Sequence, residues 1–172
     1  SAARPFYQST QMMPLKETVE DSYYAFAEDK FKEHGQQLPP DTFHVVYTLL
    51  HGHTWYVQMV LNRLYESNEK VITPSITSQT IEEITLENEA TYQTFLRLIT
   101  PQQGQLLRAI ACEGTIKEVL GKNFLMKYQL GASSTVRSAI KTLVGKELVL
   151  DQNNTYEVYD RFFGIWLKNG KG

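Results

Sequence analysis

Apolar residues recur with helical spacing through most of the chain. Leu15, Val19, Tyr23, Phe26 and Phe31 succeed one another at intervals near four, and Gly35 stands where that helix should stop. Residues 5–14, bounded by Pro5 and Pro14, lack such spacing and read as extended. After the loop QQLPP, Pro40 suits the first turn of a second helix that buries Phe43, Val46, Tyr47 and Leu50. Gly52 breaks that helix. Thr54 is placed to cap a third, whose buried side is Val57, Leu61, Leu64 and Tyr65. The stretch SNEKVITPS then reads as a linker.

A fourth helix is expected over about 80–99, opened by a capping box from Thr80 to Glu83, with Ile81, Ile84, Tyr92, Phe95 and Leu98 as its stripe. Thr100, Pro101 and Gln103 combine a cap residue, a proline at the first helical position and a side chain able to reach back. They start a helix that buries Leu106, Leu107 and Ile110 and ends at Gly114. Beyond it the pattern reads as a short helix, a tight turn, a helix and a β-hairpin. Ile116, Val119, Leu120 and Phe124 fit the first helix. In QLGASS, Gly131 is free to take positive φ, and Ser133 or Ser134 caps the second helix. Val136, Ile140, Leu143 and Val144 face inward on that second helix, and LVLD and TYEVYD flank Gln152, Asn153 and Asn154 as a hairpin. This is the order of a winged helix-turn-helix. The predicted fold is mainly α: a helical subdomain over 1–74 with an extended start, then a winged helix-turn-helix domain over 75–172 with a small β-hairpin.

Composition changes this picture little. Of 172 residues, 42% are hydrophobic and 21% charged, which is the balance of an ordinary globular protein. No apolar run approaches the roughly 18 residues of a membrane span. The start lacks the layout of a secretory signal, so a cytoplasmic location and no membrane partner are expected. Cys112 is the only cysteine, which excludes an intrachain disulfide and a cysteine zinc cluster; near the end of an apolar helix it reads as a buried small hydrophobe. Net charge −2 argues against a generally basic nucleic-acid binder, but the halves differ. Residues 1–85 carry six basic and eleven acidic side chains, residues 86–172 eleven and eight, which points to two functional units.

The phosphate-cradling loop of nucleotide hydrolases requires G-x-x-x-x-G-K-[ST]. Gly121-Lys122-Asn123 and Gly145-Lys146-Glu147 lack both the hydroxyl and the upstream glycine. LVLD, with its hairpin partner next to it, reads as a wing strand rather than a magnesium-binding one. No catalytic residue is assigned. His51 and His53 form an H-x-H without the spacing of known zinc motifs, so they read as polar residues of a helix-helix turn and no metal is expected. Trp55 and Tyr56 read as core aromatics. On the helix after QLGASS, turning Val136 and Ile140 inward puts Ser134, Ser138 and Lys141 outward, with Arg137 at the edge and Lys122, Lys127 and Lys146 nearby in sequence. Those groups could hold phosphates or reach a base edge, yet winged helices also dock proteins, and both partners stay open.

Several of these stretches, RPFYQSTQMMPL, YYAFAEDKFKEHGQQL, HGHTWYVQMVLNRLY, TPQQGQLLRAIACEG, KYQLGASSTVRSAIKTLVGKELV and YEVYDRFFGIWL, resemble nearly end to end the C-terminal half of a prokaryotic family. That family is the archaeal-ATPase-like members of the STAND group of AAA-type ATPases. The resemblance implies a helical AAA-type lid subdomain followed by a winged helix, preceded in the parent protein by a nucleotide-binding core that this sequence does not include. It implies that Gly52, His53 and Thr54 face the adenine side of a nucleotide held by that core, with ATP and magnesium bound only in its presence. The partners it implies are the core itself and, at Ser134, Arg137, Ser138, Lys141 and Lys146, double-stranded DNA or a protein. The sequence departs from the pattern in carrying Thr54 where relatives have proline, and Trp55 where some AAA proteins carry arginine. The competing readings are a stand-alone winged-helix DNA-binding regulator and a helical enzyme using His51, His53 and neighbouring carboxylates.

Overall fold

The computed structural model describes residues 19–170. The expected extended stretch over 5–14, the start of the first helix at Leu15 and the segment RPFYQSTQMMPL lie outside the described residues. The chain divides into two compact units, one up to Glu83 and one from Ile84 onward.

The first unit holds α1 (Val19–Glu33), α2 (Pro40–Leu49), α3 (Thr54–Glu66) and the first part of α4 (Pro74–Glu87). Helix α2 packs against both α1 and α3. Tyr23, Ala27 and Phe31 of α1, Phe43, Val46 and Leu50 around α2, and Val57, Val60, Leu61 and Leu64 of α3 are buried, as the helical spacing demands. Phe26, Tyr47 and Tyr65 are only half-buried, because each lies at the margin of its apolar stripe. Tyr23 meets Phe43 edge-on at 5.5 Å between ring centroids, and Phe31 meets Tyr65 at 5.8 Å.

The stretch read as a linker is tied down. Gln37 and Val71 form a parallel bridge, with Gln37 N donating to Lys70 O at 2.8 Å and Ile72 N to Gln37 O at 2.9 Å. The buried Gln36 amide donates to Leu64 O and Glu69 O, at 3.3 and 3.0 Å. Helix α4 therefore begins earlier than the apolar spacing indicates. Thr73 Oγ1 accepts from Ile76 N at 3.2 Å, and Pro74 occupies the first helical position. The expected capping box at Thr80 does not form; its hydroxyl donates to Ile76 O at 2.9 Å from inside the helix. The single helix expected over 80–99 is two, α4 and α5 (Glu89–Arg97), interrupted at Asn88. Ile81, Ile84 and Tyr92 are buried, whereas Leu98, past the end of α5, is exposed.

The second unit continues with α6 (Pro101–Glu113), β1 (Thr115–Ile116), α7 (Lys122–Lys127), α8 (Ser133–Gly145), β2 (Val149–Gln152), β3 (Thr155–Val158) and α9 (Arg161–Lys168). The sheet is antiparallel in the order β1-β3-β2, pairing Thr115 with Glu157 and Val149 with Val158. Helix α6 packs against α8, α9, β1 and β3 and is the centre of the unit. Its start is the reciprocal box read from the sequence: Gln103 N donates to Thr100 Oγ1 at 3.2 Å, and Thr100 N to Gln103 Oε1 at 3.0 Å. Gly114 ends it at φ 77°. Cys112, expected inside, is exposed, since the buried side of α6 runs through Leu106, Leu107, Ala109, Ile110 and Ala111.

Two further expectations fail locally. Ile116, Val119, Leu120 and Phe124 do not share a helix: Ile116 pairs in β1, the next residues turn, and α7 begins only at Lys122. Neither Ser133 nor Ser134 caps α8, whose N-cap position holds Ala132. The hairpin forms, but Gln152, read as part of the connection, ends β2 opposite Thr155, leaving a two-residue turn with Asn153 at φ 53° and Asn154 at φ 61°. Asparagine tolerates that left-handed pair, which suits the twist of the flanking strands. Helix α9 was not read from the sequence. Its eight residues carry a helical period, with Arg161, Gly164 and Lys168 at i, i+3 and i+7, but too briefly for spacing alone to set it off from the strand before it. Asp160 starts it by accepting from Phe162 N and Phe163 N, at 2.9 and 3.1 Å. Tyr92, Phe163 and Trp166 form its aromatic core, with Tyr92 and Phe163 stacked at 5.0 Å.

The capping box yields a direct test. Thr100→Ala should lower unfolding stability in urea by about 1 kcal/mol, the usual cost of losing an N-cap. An unchanged midpoint would show that the start of α6 does not depend on it.

Candidate functional site

Two surfaces carry the residues singled out in the sequence, one in each unit. The first is the turn between α2 and α3. Helix α2 ends as Gly52 N donates to Tyr47 O at 2.8 Å and His53 N to Leu50 O at 3.1 Å. His51 and Gly52 both take left-handed conformations, at φ 54° and 67°. Glycine is required at the second position for two reasons. Its φ disfavours a side chain, and an added Cβ would lie 3.0 Å from Cζ and Oη of Tyr47. The Tyr47 ring thus backs the turn, and burial first, then the Glu20 charge, raises its phenol above the ordinary tyrosine range.

The side chains around Gly52 form a run of rings. His51 and His53 lie 6.4 Å apart by centroid, His53 and Tyr56 6.2 Å, and Tyr56 and Trp55 4.9 Å in an edge-on contact. His51, Gly52 and His53 are half-buried, while Thr54 and Trp55 are exposed, Trp55 by 54%. Trp55 is therefore not the core aromatic its type suggested. Nor does Thr54 cap α3; His53 holds the N-cap position without a side-chain bond, and Thr54 is the first helical residue. Between Asp41 and Arg63 there is no Lys, Arg, Asp or Glu. The turn can offer π-faces and ring edges to a ligand, and it has no fixed cation with which to hold phosphates.

The second surface is α8 with the turn before it. Val136, Ala139, Ile140 and Leu143 point into the unit, and Ser134, Arg137, Ser138, Lys141 and Lys146 are all exposed. The preceding turn takes left-handed conformations at Gln129 (φ 52°) and Gly131 (φ 79°), with Leu130 buried between them. Two residues that periodicity could not single out hold this turn. Gln105 of α6 donates from Nε2 to Tyr128 O at 3.0 Å and Gln129 O at 3.4 Å. Glu113, two helical turns further on, accepts from Lys127 Nζ at 2.6 Å and from the Tyr128 hydroxyl at 2.7 Å. Those two hydrogen bonds, Lys127 first, hold the Glu113 carboxyl below the usual carboxylate range. The bond to Glu113 raises the Lys127 ammonium, and burial, then Glu113, raises the Tyr128 phenol. Both braces sit on polar positions of α6, so only the tertiary fold brings them to the turn.

Residues 90–169 match a family model described as "Probable winged helix domain". The second unit is a winged helix. In its terms α7 and α8 are the helix-turn-helix, and β2 and β3 the wing. The chain also matches the structure of a Walker-type ATPase of Pyrococcus abyssi with a TM-score of 0.60 and 16% identity. That match covers 86% of this chain and 41% of the ATPase, so the chain spans well under half of that protein's length. At such identity the likeness is one of fold. No curated protein matches the chain. Among the described residues no helix is long and apolar enough to cross a membrane.

Two outcomes are expected. Gly52→Ala should destabilise the first unit by about 2 kcal/mol, from left-handed strain plus the Tyr47 clash, and by only about 1 kcal/mol when made in a Tyr47→Leu background. Equal costs in the two backgrounds would remove Tyr47 from the account. In the winged helix, the lowered Glu113 carboxyl contributes stability that is complete above the ordinary carboxylate pKa and disappears as pH falls through its folded value. Glu113→Gln should therefore narrow the difference in thermal midpoint between neutral and acidic pH. An unaltered acid limb would mean that the brace is energetically idle.

Proposed function

We propose that this chain is the non-catalytic C-terminal portion of an AAA/STAND-type ATP-binding protein, a helical lid joined to a winged helix. In this reading a preceding core grips the triphosphate and magnesium, the α2–α3 turn closes over the adenine, and the winged helix passes the nucleotide state on to DNA or a protein.

The observation that carries the reading is the chemistry of the turn. Backed by Tyr47 and held by two consecutive left-handed residues, it presents His53, Thr54 and Trp55 with no charged side chain from Thr42 to Asn62. Such a surface suits a flat base, and the strongly charged remainder of a nucleotide needs cations from elsewhere. The fold likeness to a Walker-type ATPase, of which this chain would correspond to less than half, supports the same division of labour. Thr54 stands where relatives have proline and Trp55 where some AAA proteins carry arginine, so here the turn acts by shape and stacking rather than by touching phosphate.

Calorimetry with Mg-ATP tests this. The chain alone should show no micromolar binding and no turnover. In the longer protein that includes the core, Trp55→Ala and His53→Ala should weaken ATP binding several-fold. Micromolar affinity in the chain alone, or indifference of the longer protein to both substitutions, would contradict the reading.

A further inference from the structure

The span from Val119 to Lys146, which contains the helix-turn-helix, carries five basic residues and no Asp or Glu. The whole chain has 19 acidic residues against 17 basic ones, so this is a local separation of charge. Lys127 is neutralised by Glu113. Lys122, Arg137, Lys141 and Lys146 are exposed, and none of them has an ion pair among the described residues.

The face of α8 between these charges is polar. Ser134, Ser138, Lys141 and Gly145 lie in turn along its outward side, and a Cβ at Gly145 would meet nothing within 4 Å. Of the exposed large hydrophobic side chains, α7 contributes one, Met126, and none lies on α8. Protein interfaces take most of their energy from buried aromatic, aliphatic and arginine anchors. This helix offers a single arginine and no apolar anchor. It offers hydroxyl donors and unneutralised cations, the groups that bind phosphate oxygens. Its 13 residues give a rod about 20 Å long, which enters a B-form major groove about 12 Å wide and not the deep, narrow groove of an A-form duplex. The wing differs in kind. Asp151 of β2 accepts at Oδ1 from Asn154 N of the turn at 2.9 Å, and no Lys or Arg lies between Leu148 and Tyr159.

We infer that the helix-turn-helix of this chain docks on double-stranded DNA, held through phosphates by Lys122, Arg137, Lys141 and Lys146, with the wing outside the contact. This names the partner of the winged helix in the reading above and rests on that reading only for giving this unit the partner-binding role.

The test is fluorescence anisotropy of the full chain with a labelled DNA duplex at graded salt. Four phosphate contacts predict a logarithmic salt slope of about −3.6, or roughly a hundredfold loss of affinity between about 50 and 200 mM. Lys141→Gln should reduce the slope by about one, and Asp151→Asn in the wing should change neither slope nor affinity. Far-ultraviolet circular dichroism checks that the variants fold. Absence of binding at about 50 mM salt, or binding that Arg137→Ala and Lys141→Gln together leave intact, overturns the inference and leaves the face to a protein partner. A strong effect of Asp151→Asn overturns the exclusion of the wing. No nucleotide or core takes part, so failure here leaves the reading of the α2–α3 turn untouched.

Discussion

The winged helix depends on α6. This one helix contacts α8, α9 and two strands of the sheet. Its buried side supplies Leu106, Leu107 and Ile110, and its polar side supplies Gln105 and Glu113 to the turn ahead of α8. Apolar burial gives such a unit its stability but does not by itself aim a surface helix. Directional bonds tie down the turn ahead of it, here an amide on two carbonyls and a carboxylate shared by an ammonium and a phenol. The reciprocal cap at Thr100 and the left-handed Gly114 fix where α6 starts and stops, and so where those bonds are offered.

The two units divide their chemistry sharply. The α2–α3 turn is aromatic, half-open and free of Lys, Arg, Asp and Glu, while the helix-turn-helix is basic and free of carboxylates. Neither surface holds a nucleophile braced by a base, and neither has the loop that cradles phosphates in nucleotide hydrolases. In the proposed reading, the first surface stacks a base without holding its phosphates, and the second holds phosphates with little to read bases. The proposed place of the chain in an ATP-binding protein gives each of them the partner it lacks.

The helical half of this picture was legible in the sequence because α2, α3, α6 and α8 are amphipathic and bury one side each. The hairpin was legible because two asparagines between β-prone runs leave little choice of turn. Each element that escaped did so for a physical reason. Helix α9 spans only two turns, so the period marked by Arg161, Gly164 and Lys168 is too short to stand out beside the β-prone run that precedes it. The start of α4 is set by Thr73, which looks like part of a loop until Gln36 and Gln37 are seen holding that loop in place. The serines before α8 looked like caps, yet the chain enters that helix one residue earlier, at Ala132. The outward set Ser134, Arg137, Ser138, Lys141 and Lys146 could be read from the inward positions of Val136 and Ile140. Gln105 and Glu113 could not, since only folding brings α6 beside the turn.

Nitrogen-15 correlation spectra of the full chain, recorded as a DNA duplex is added, test the central claim residue by residue. The amides of Ser134, Arg137, Ser138 and Lys141 should move while those of Asn153, Asn154, Thr54 and Trp55 stay. Shifts confined to the wing or to the α2–α3 turn, or no shifts at all, would contradict it.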